Sequence, residues 1–201
     1  MKLKTYLSLA ILLGALEQGY SQHDLASKQT LVRTLTIEPG VGIHTNFGTD
    51  FLISCLVQWN PTRRLALASH SSFNINNATQ RNFNHVKTDY NYSFNQKFGV
   101  GTTLYSNKFS HTVLAMVGMK YTTFQETLDN PNFDKVSTAI SAVSPDYGIM
   151  YSLKRGWKKY FFTGRFYLPL SPWLTKGAKI ENVQGTLRDT ALEFGVGIKI
   201  K

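Results

Sequence analysis

His70, Ser72 and Asn74 stand two residues apart in one stretch of the chain. In an extended strand, residues two apart share a face, so an imidazole and a hydroxyl would lie side by side. A histidine so placed can serve as base to a serine nucleophile when an acidic group orients the ring, but the sequence offers no evident acidic partner. A second set of ionisable residues is spread along the chain. Glu38, Lys120, Asp146, Arg165, Glu193 and Lys199 each sit singly among small or uncharged neighbours. Charges of both signs in such surroundings point to ion pairs, because a buried charge persists only when paired and hydrogen-bonded. There is no phosphate loop, nucleophile elbow or metal-ligand spacing, and the histidines at 23, 44, 70, 85 and 111 are scattered. The chain is therefore expected to carry no metal, no cofactor and no catalytic residues, with His70 and Ser72 as the one enzymatic alternative.

These residues need strands to position them. Beyond the first residues helical periodicity is nearly absent and period-two alternation is common. At the C-terminal end Leu192, Phe194, Val196, Ile198 and Ile200 take one face, and Ala191, Glu193, Gly195, Gly197 and Lys199 the other. The same split sets Leu35, Ile37, Val41 and Ile43 against Thr34, Thr36, Glu38, Gly40 and Gly42. It sets Leu65, Leu67 and Phe73 against Arg64, Ala66, Ala68, His70 and Ser72. Val113, Ala115, Val117, Met119 and Tyr121 oppose Thr112, Leu114, Met116, Gly118 and Lys120. Tyr147, Ile149, Tyr151 and Leu153 oppose Asp146, Gly148, Met150 and Ser152. Tyr160, Phe162, Phe166 and Leu168 oppose Phe161, Thr163, Arg165 and Tyr167, and Leu114, Met116 and Phe161 blur the pattern without reversing it.

Strands are predicted at 31–45, 50–59, 64–76, 85–105, 110–124, 139–153, 159–170 and 188–201. The 85–105 stretch counts as one strand because Phe98, Val100, Thr102 and Leu104 stay in phase with Tyr90, Tyr92 and Phe94; a turn at Asn95–Lys97 would change the count. Tight connections at Asn60–Arg63, Ser106–Phe109 and Lys154–Trp157 alternate with longer polar ones at 76–84, 125–138 and 171–187. Short turns alternating with long loops are expected of an outer-membrane barrel, with the turns facing the periplasm.

The N-terminus supports export. Lys2 and Lys4 precede the apolar run Leu7–Leu16, followed by Gly19 and Ser21. This order reads as a signal peptide over 1–21, cleaved between Ser21 and Gln22; the apolar run is too short for a spanning helix, which needs about 20 residues. A short periplasmic lead, 22–30, and a single barrel domain, 31–201, follow. Removing Lys2, Lys4 and Glu17 takes the formal charge from +10 to +9. The lone cysteine, Cys55, excludes an internal disulfide framework and reads as a small buried hydrophobe sharing a face with Phe51, Ile53, Val57 and Trp59. The basic residues form no concentrated stripe, so no nucleic-acid partner is expected.

Alternation alone does not fix which face points inward, since a soluble barrel binding an apolar ligand turns its apolar face to the axis. The small and charged face suits a narrow lumen, as an eight-stranded barrel leaves room only for its own side chains. On this reading Glu38, Arg165 and Glu193 form a paired lumen cluster, with Lys120, Asp146 and Lys199 on the same face. Leu192, Phe194, Val196, Ile198, Val113, Val117, Phe162 and Phe166 face lipid. Trp59, Tyr105, Tyr121, Phe124, Tyr160 and Trp173 stand where interface girdles belong. Arg63, Arg64, Lys154, Arg155, Lys158 and Lys159 fall at periplasmic turns. Arg81, Lys87, Lys176, Lys179 and Arg188 fall in or beside outer loops, where cations can pair with lipopolysaccharide phosphates.

The signal, the loop order and the closing strand LEFGVGIKIK together resemble the small outer-membrane β-barrel proteins of the outer-membrane protein A-like type, over residues 31–201. The resemblance implies an all-β, closed antiparallel up-and-down transmembrane barrel, inserted by the barrel-assembly machinery. Members of that family commonly end in an aromatic residue, whereas this chain ends Ile200-Lys201. The GYSQ cleavage context is similar to exported proteins of the Bacteroidota. The His70–Ser72 pair loosely resembles the His-x-Ser arrangement of barrel-borne lipid A deacylases, although both residues are in phase with the lumen face. The expectation is a monomeric barrel with a structural, adhesive or surface-interaction role, in contact with outer-membrane lipids and without a wide pore.

Overall fold

Eight stretches in which β-branched and aromatic residues alternate with small or polar ones form eight strands. They are β1 (Thr34–His44), β2 (Phe51–Asn60), β3 (Leu65–Ile75), β4 (Val86–Ser106), β5 (Phe109–Leu128), β6 (Val136–Arg155), β7 (Tyr160–Pro169) and β8 (Ala191–Lys199). The computed structural model describes residues 33–44, 51–75, 86–106, 109–128, 134–156, 159–170 and 190–200, without the side chains of 86–88, 91, 124, 126, 128 and 140. The signal and lead segments, most of the long connections, Arg81, Trp157, Lys158, Trp173, Lys176, Lys179, Arg188 and the side chains of Lys87 and Phe124 lie outside the described residues.

Each strand pairs antiparallel with its sequence neighbours, and β1 pairs with β8, so the sheet closes into an eight-stranded up-and-down barrel. Closure satisfies the edge strands that an open sheet would leave bare. Residues 85–105 do form a single strand: Asn95, Gln96 and Lys97 sit within the ladder, opposite Ser72, Ser71 and His70. One register shift, between Thr88 and Tyr90, interrupts β4 near its far end.

Two connections differ from the sequence reading. β5 and β6 remain paired out to Leu128 and Val136, so the connection expected over 125–138 narrows to 129–135. Thr and Ser in these segments alternate without an apolar face, which hid the strand period. The turn expected at Lys154–Trp157 starts later, because β6 runs to Arg155 and is followed by Gly156 at φ +103°, a conformation that suits glycine. Lys154 therefore belongs to β6 rather than to a turn. The strand ends joined by the shorter connections (61–64, 107–108, 156–159) lie at one end of the barrel, and those joined by the longer ones (45–50, 76–85, 129–135, 170–190) at the other.

The barrel is turned inside out relative to a soluble protein. Val41, Ile53, Phe98, Val117, Phe162, Phe194 and Ile198 point outward and are exposed, Phe162 by 70%. Glu38, His70, Lys97, Arg165 and Glu193 are buried within. Leu114, Met116 and Phe161, which interrupted the pattern in sequence, are also buried inside, where Leu114 and Met116 join Leu52, Leu56 and Met150 in an apolar cluster. Cys55 is the exception to its reading: the face it shares with Ile53 and Val57 is the outward one, so it is half-buried at the surface, opposite Pro39 and Ser71. Tyr105 corrects the girdle set: it pairs with buried Ser110 in register with the inward Thr103–Thr112 pair, and so takes the inward side. Trp59, Tyr121 and Tyr160 are outward and exposed.

Candidate functional site

The inward face of an antiparallel sheet places every second residue of each strand in a common space, and here that space collects the charges. Glu38, Leu56, His70, Lys97, Gly118 and Asp146 are consecutive partners across β1 to β6, so they form one row around the wall. Arg165 and Glu193 are cross-strand partners on β7 and β8.

Glu193 is the hub of the first network. Its Oε2 lies 3.0 Å from Arg165 Nε and accepts a hydrogen bond from Ser54 Oγ at 2.6 Å. Its Oε1 lies 3.1 Å from His70 Nε2. Arg165 spends its other nitrogens on the Glu38 backbone carbonyl (2.8 Å) and Ser54 Oγ (3.0 Å). These contacts reach past β1, and β1 permits it by carrying glycine there. A Cβ on Gly40 would collide with Arg165 Nη2, and one on Gly42 would sit 2.9 Å from Glu193 Cγ. The glycines that looked merely small in the sequence are the space into which the ion pair fits.

A second network lies toward the short-turn end. Lys154 Nζ donates to Glu38 Oε1 and, at 2.9 Å, to Gln58 Oε1. Thr36 Oγ1 donates to Glu38 Oε1 at 2.7 Å. Gln58 Nε2 continues the chain to Asn60 Oδ1 (2.8 Å), whose Nδ2 donates to Thr103 Oγ1 (3.0 Å). The third network lies on the long-loop side. Lys97 Nζ donates to Asp146 Oδ2 at 2.8 Å and sits 3.9 Å from the centre of the Tyr167 ring; Tyr167 Oη donates to Asp146 Oδ1 at 2.5 Å. Gly118 stands between Lys97 and Asp146 in the row, where a Cβ would meet the Gln96 carbonyl and Lys97 Cα.

The structure thus brings Glu38, Arg165 and Glu193 together, but the carboxylate of Glu38 is neutralised by Lys154, while Arg165 binds its backbone carbonyl. Asp146 and Lys120 are both buried on the inward side, and Lys199 is half-buried near the barrel end, opposite Thr36. Lys154 was misplaced in the sequence reading, which took KRGWKK as a basic turn; its phase with Met150 and Ser152 was the available signal. Lys97 entered the sequence reading only as the end of a possible turn at Asn95–Lys97, whereas it is an inward strand residue alternating with the outward Gln96 and Phe98. His70 does have an acidic partner, Glu193, which comes from the far end of the chain and meets it only through closure. Among the described residues no group of three or more His, Cys, Asp or Glu could hold a metal ion.

Chemically, the arrangement neutralises charge buried inside the barrel. Each carboxylate in the three networks has a lysine or arginine nitrogen within 3.0 Å. Breaking such a pair by removing one partner strands a buried charge. Ser72 and His70 are both buried in the lumen.

No family model matches the chain, and no curated protein matches it. Among solved structures it is similar to the N-terminal β-barrel domain of Pseudomonas aeruginosa OprF, at 12% identity over 84% of this chain and 98% of that one, with a TM-score of 0.44. The closed pairing of the eight strands establishes the fold independently of that likeness.

Proposed function

We propose that the chain is an integral outer-membrane β-barrel protein with a filled lumen, acting through its surface and its loops rather than as a wide pore. The observation that carries this reading is the inversion of the barrel: Phe194 and Ile198 stand exposed on the strand whose Glu193 is buried. Water would penalise such an exterior, whereas hydrocarbon favours it, and closure leaves no strand edge for lipid to meet. The shorter strands have 9–11 residues, the length of tilted strand that spans a bilayer. The short turns then face the periplasm and the long connections the outside. Outer-loop cations are proposed to meet lipopolysaccharide phosphates, and insertion to use the barrel-assembly machinery.

A soluble barrel for apolar ligands would need an apolar interior, and three ion networks stand there instead. Lipid A deacylation by His70 and Ser72 gains no support from the geometry, because neither side chain reaches the outward face where an acyl chain would approach.

The test is fractionation of cells expressing the full chain. The protein is expected in the outer-membrane fraction, resistant to alkaline extraction, released by detergent, and slower or faster on a gel according to whether the sample was boiled. Recovery in the soluble fraction without detergent would overturn the reading. In planar bilayers the purified barrel is expected to give no wide-pore conductance.

A further inference from the structure

The outward wall is not uniformly apolar. Ser69, Ser71 and Gln96 face outward on β3 and β4, and they are hydrogen-bonded to one another. Ser71 Oγ donates to Gln96 Oε1 at 2.5 Å, and Gln96 Nε2 donates to Ser69 Oγ at 2.9 Å. Cys55 on β2 lies directly opposite Ser71. This patch occupies the middle of β3, with Phe73 and Phe94 on its long-loop side and Phe98 and Leu67 on its short-turn side. If the barrel spans a bilayer, the patch sits near the midplane, where donors and acceptors have no water to turn to. The internal bonds do not exhaust it: the Gln96 amide keeps one donor hydrogen and one acceptor site, and Ser69 keeps its hydroxyl proton. The outward positions of β7 and β8 (Tyr160, Phe162, Gly164, Phe166, Leu168; Leu192, Phe194, Val196, Ile198) include no serine, threonine or amide.

We propose that the β2–β4 wall is where two copies of this chain pack side by side in the membrane, joined through the Ser69–Ser71–Gln96 patch. The inference rests on the membrane reading and replaces the monomer expected from sequence. Three features select a second copy as the occupant. All copies insert in one orientation, so a two-fold axis along the membrane normal presents each patch to its own duplicate at the same depth. An amide and hydroxyls are donors and acceptors at once, so the patch is complementary to itself and, being neutral, does not repel its copy. Ser69, Ser71 and Cys55 are small, which lets two walls approach closely, as small and polar residues do where membrane-spanning elements associate. The exposed Phe73, Phe94 and Phe98 form an apolar rim around the polar centre.

The experiment uses the full chain in native membranes. In a Cys55→Ser background, single cysteines are placed at Ser71 or Ser69 in the patch, and at Phe166 on the opposite wall, then oxidised with copper phenanthroline. Ser71→Cys and Ser69→Cys are expected to give a disulfide-linked band of twice the chain mass, and Phe166→Cys none. Adding Gln96→Leu is expected to lower the dimer yield roughly threefold to tenfold. Boiling-dependent gel mobility identifies the folded fraction of each variant, on which the yield is scored. Equal crosslinking at both walls, no dimer from either patch cysteine, or a band of another mass would overturn the proposal while leaving the membrane reading intact. A folded chain recovered outside the membrane would overturn both.

Discussion

The closed section of the barrel and the extension of β4, β5 and β6 beyond it belong to the same sheet but follow different rules. β4–β6 have 20 or 21 residues, about double the other strands. β3 pairs with β4 only from Tyr92 onward, and β7 meets β6 only from Gly148. In the closed section, charges are sequestered and neutralised by partners from distant strands. In the extension, Ser137, Thr138, Ala139 and Ser141 are exposed on both faces of β6, the β5–β6 contacts are between neutral groups, and a carboxylate contact there, Thr127 Oγ1 donating to Asp89 Oδ2 at 2.5 Å, uses a hydroxyl rather than an opposite charge. Ser141 Oγ donates to Thr123 Oγ1 at 2.9 Å, Gln125 Nε2 to Ser137 Oγ at 2.6 Å, and Tyr121 Oη to Ser141 Oγ at 3.2 Å. Closure is what makes buried charge possible, because only a wall on every side can supply partners from β2, β3, β7 and β8 at once. Where the wall is open, the β6 side of each pair is exposed to water, so hydroxyl pairs suffice.

The largest effect separating the two regions should come from Arg165. Arg165→Met leaves Glu193 buried with only His70 and Ser54 as partners, an expected loss of about 3–5 kcal/mol in denaturant unfolding from detergent micelles. Arg165→Met combined with Glu193→Leu should recover much of that loss, because no stranded charge remains. A double-mutant cycle measures the coupling. If the single variant loses under about 1 kcal/mol, a value typical of exposed pairs, the closed section is not held by its charges and the contrast fails.

Glycine gives a finer comparison, within the closed section itself. Gly40→Ala places a methyl group against Arg165 Nη2 and the Phe194 carbonyl, and overpacking of that kind costs about 1–3 kcal/mol. At Gly164, a Cβ meets nothing nearer than the Phe194 ring at 3.9 Å, so Gly164→Ala should be neutral or stabilising by up to about 1 kcal/mol, since alanine narrows the unfolded ensemble. Thermal loss of the compact gel form reports both. Equal costs at the two sites would show that the lumen glycines do not make room for the ion network.

The limits of the sequence reading follow the same division. Strand number, phase and the lumen positions of Glu38, Arg165 and Glu193 were legible, because face alternation is local and needs only adjacent residues. The partners were not. Pairing His70 with Glu193, or Lys154 with Glu38, depends on which strands close upon each other and on the gaps left by Gly40 and Gly42, which are properties of three dimensions. Lys154 was hidden by its basic neighbours, which made a strand end look like a turn. The far ends of β5 and β6 were hidden for the opposite reason: with both faces polar, the extension presents no alternation to read. Cys55 was assigned to the right face with the wrong consequence, since the outward face of this barrel is the apolar one.

The smallest effect belongs to the extension, and it sharpens the contrast by its size. Ser141→Ala removes a hydroxyl that touches both Thr123 and Tyr121, yet all of these groups lie near water or one another. A cross-strand pair of this type contributes about 0.2–1 kcal/mol, and global unfolding should shift by no more than that. The local consequence should be easier to see. A segment held by replaceable contacts opens independently of the body that carries it, so amide hydrogens of 136–142 should exchange faster in Ser141→Ala while those of β7 and β8 stay unchanged. Matching changes in β7 and β8 would mean that extension and closed section open as one unit, and that the division between charged interior and hydroxyl-paired rim has no energetic meaning.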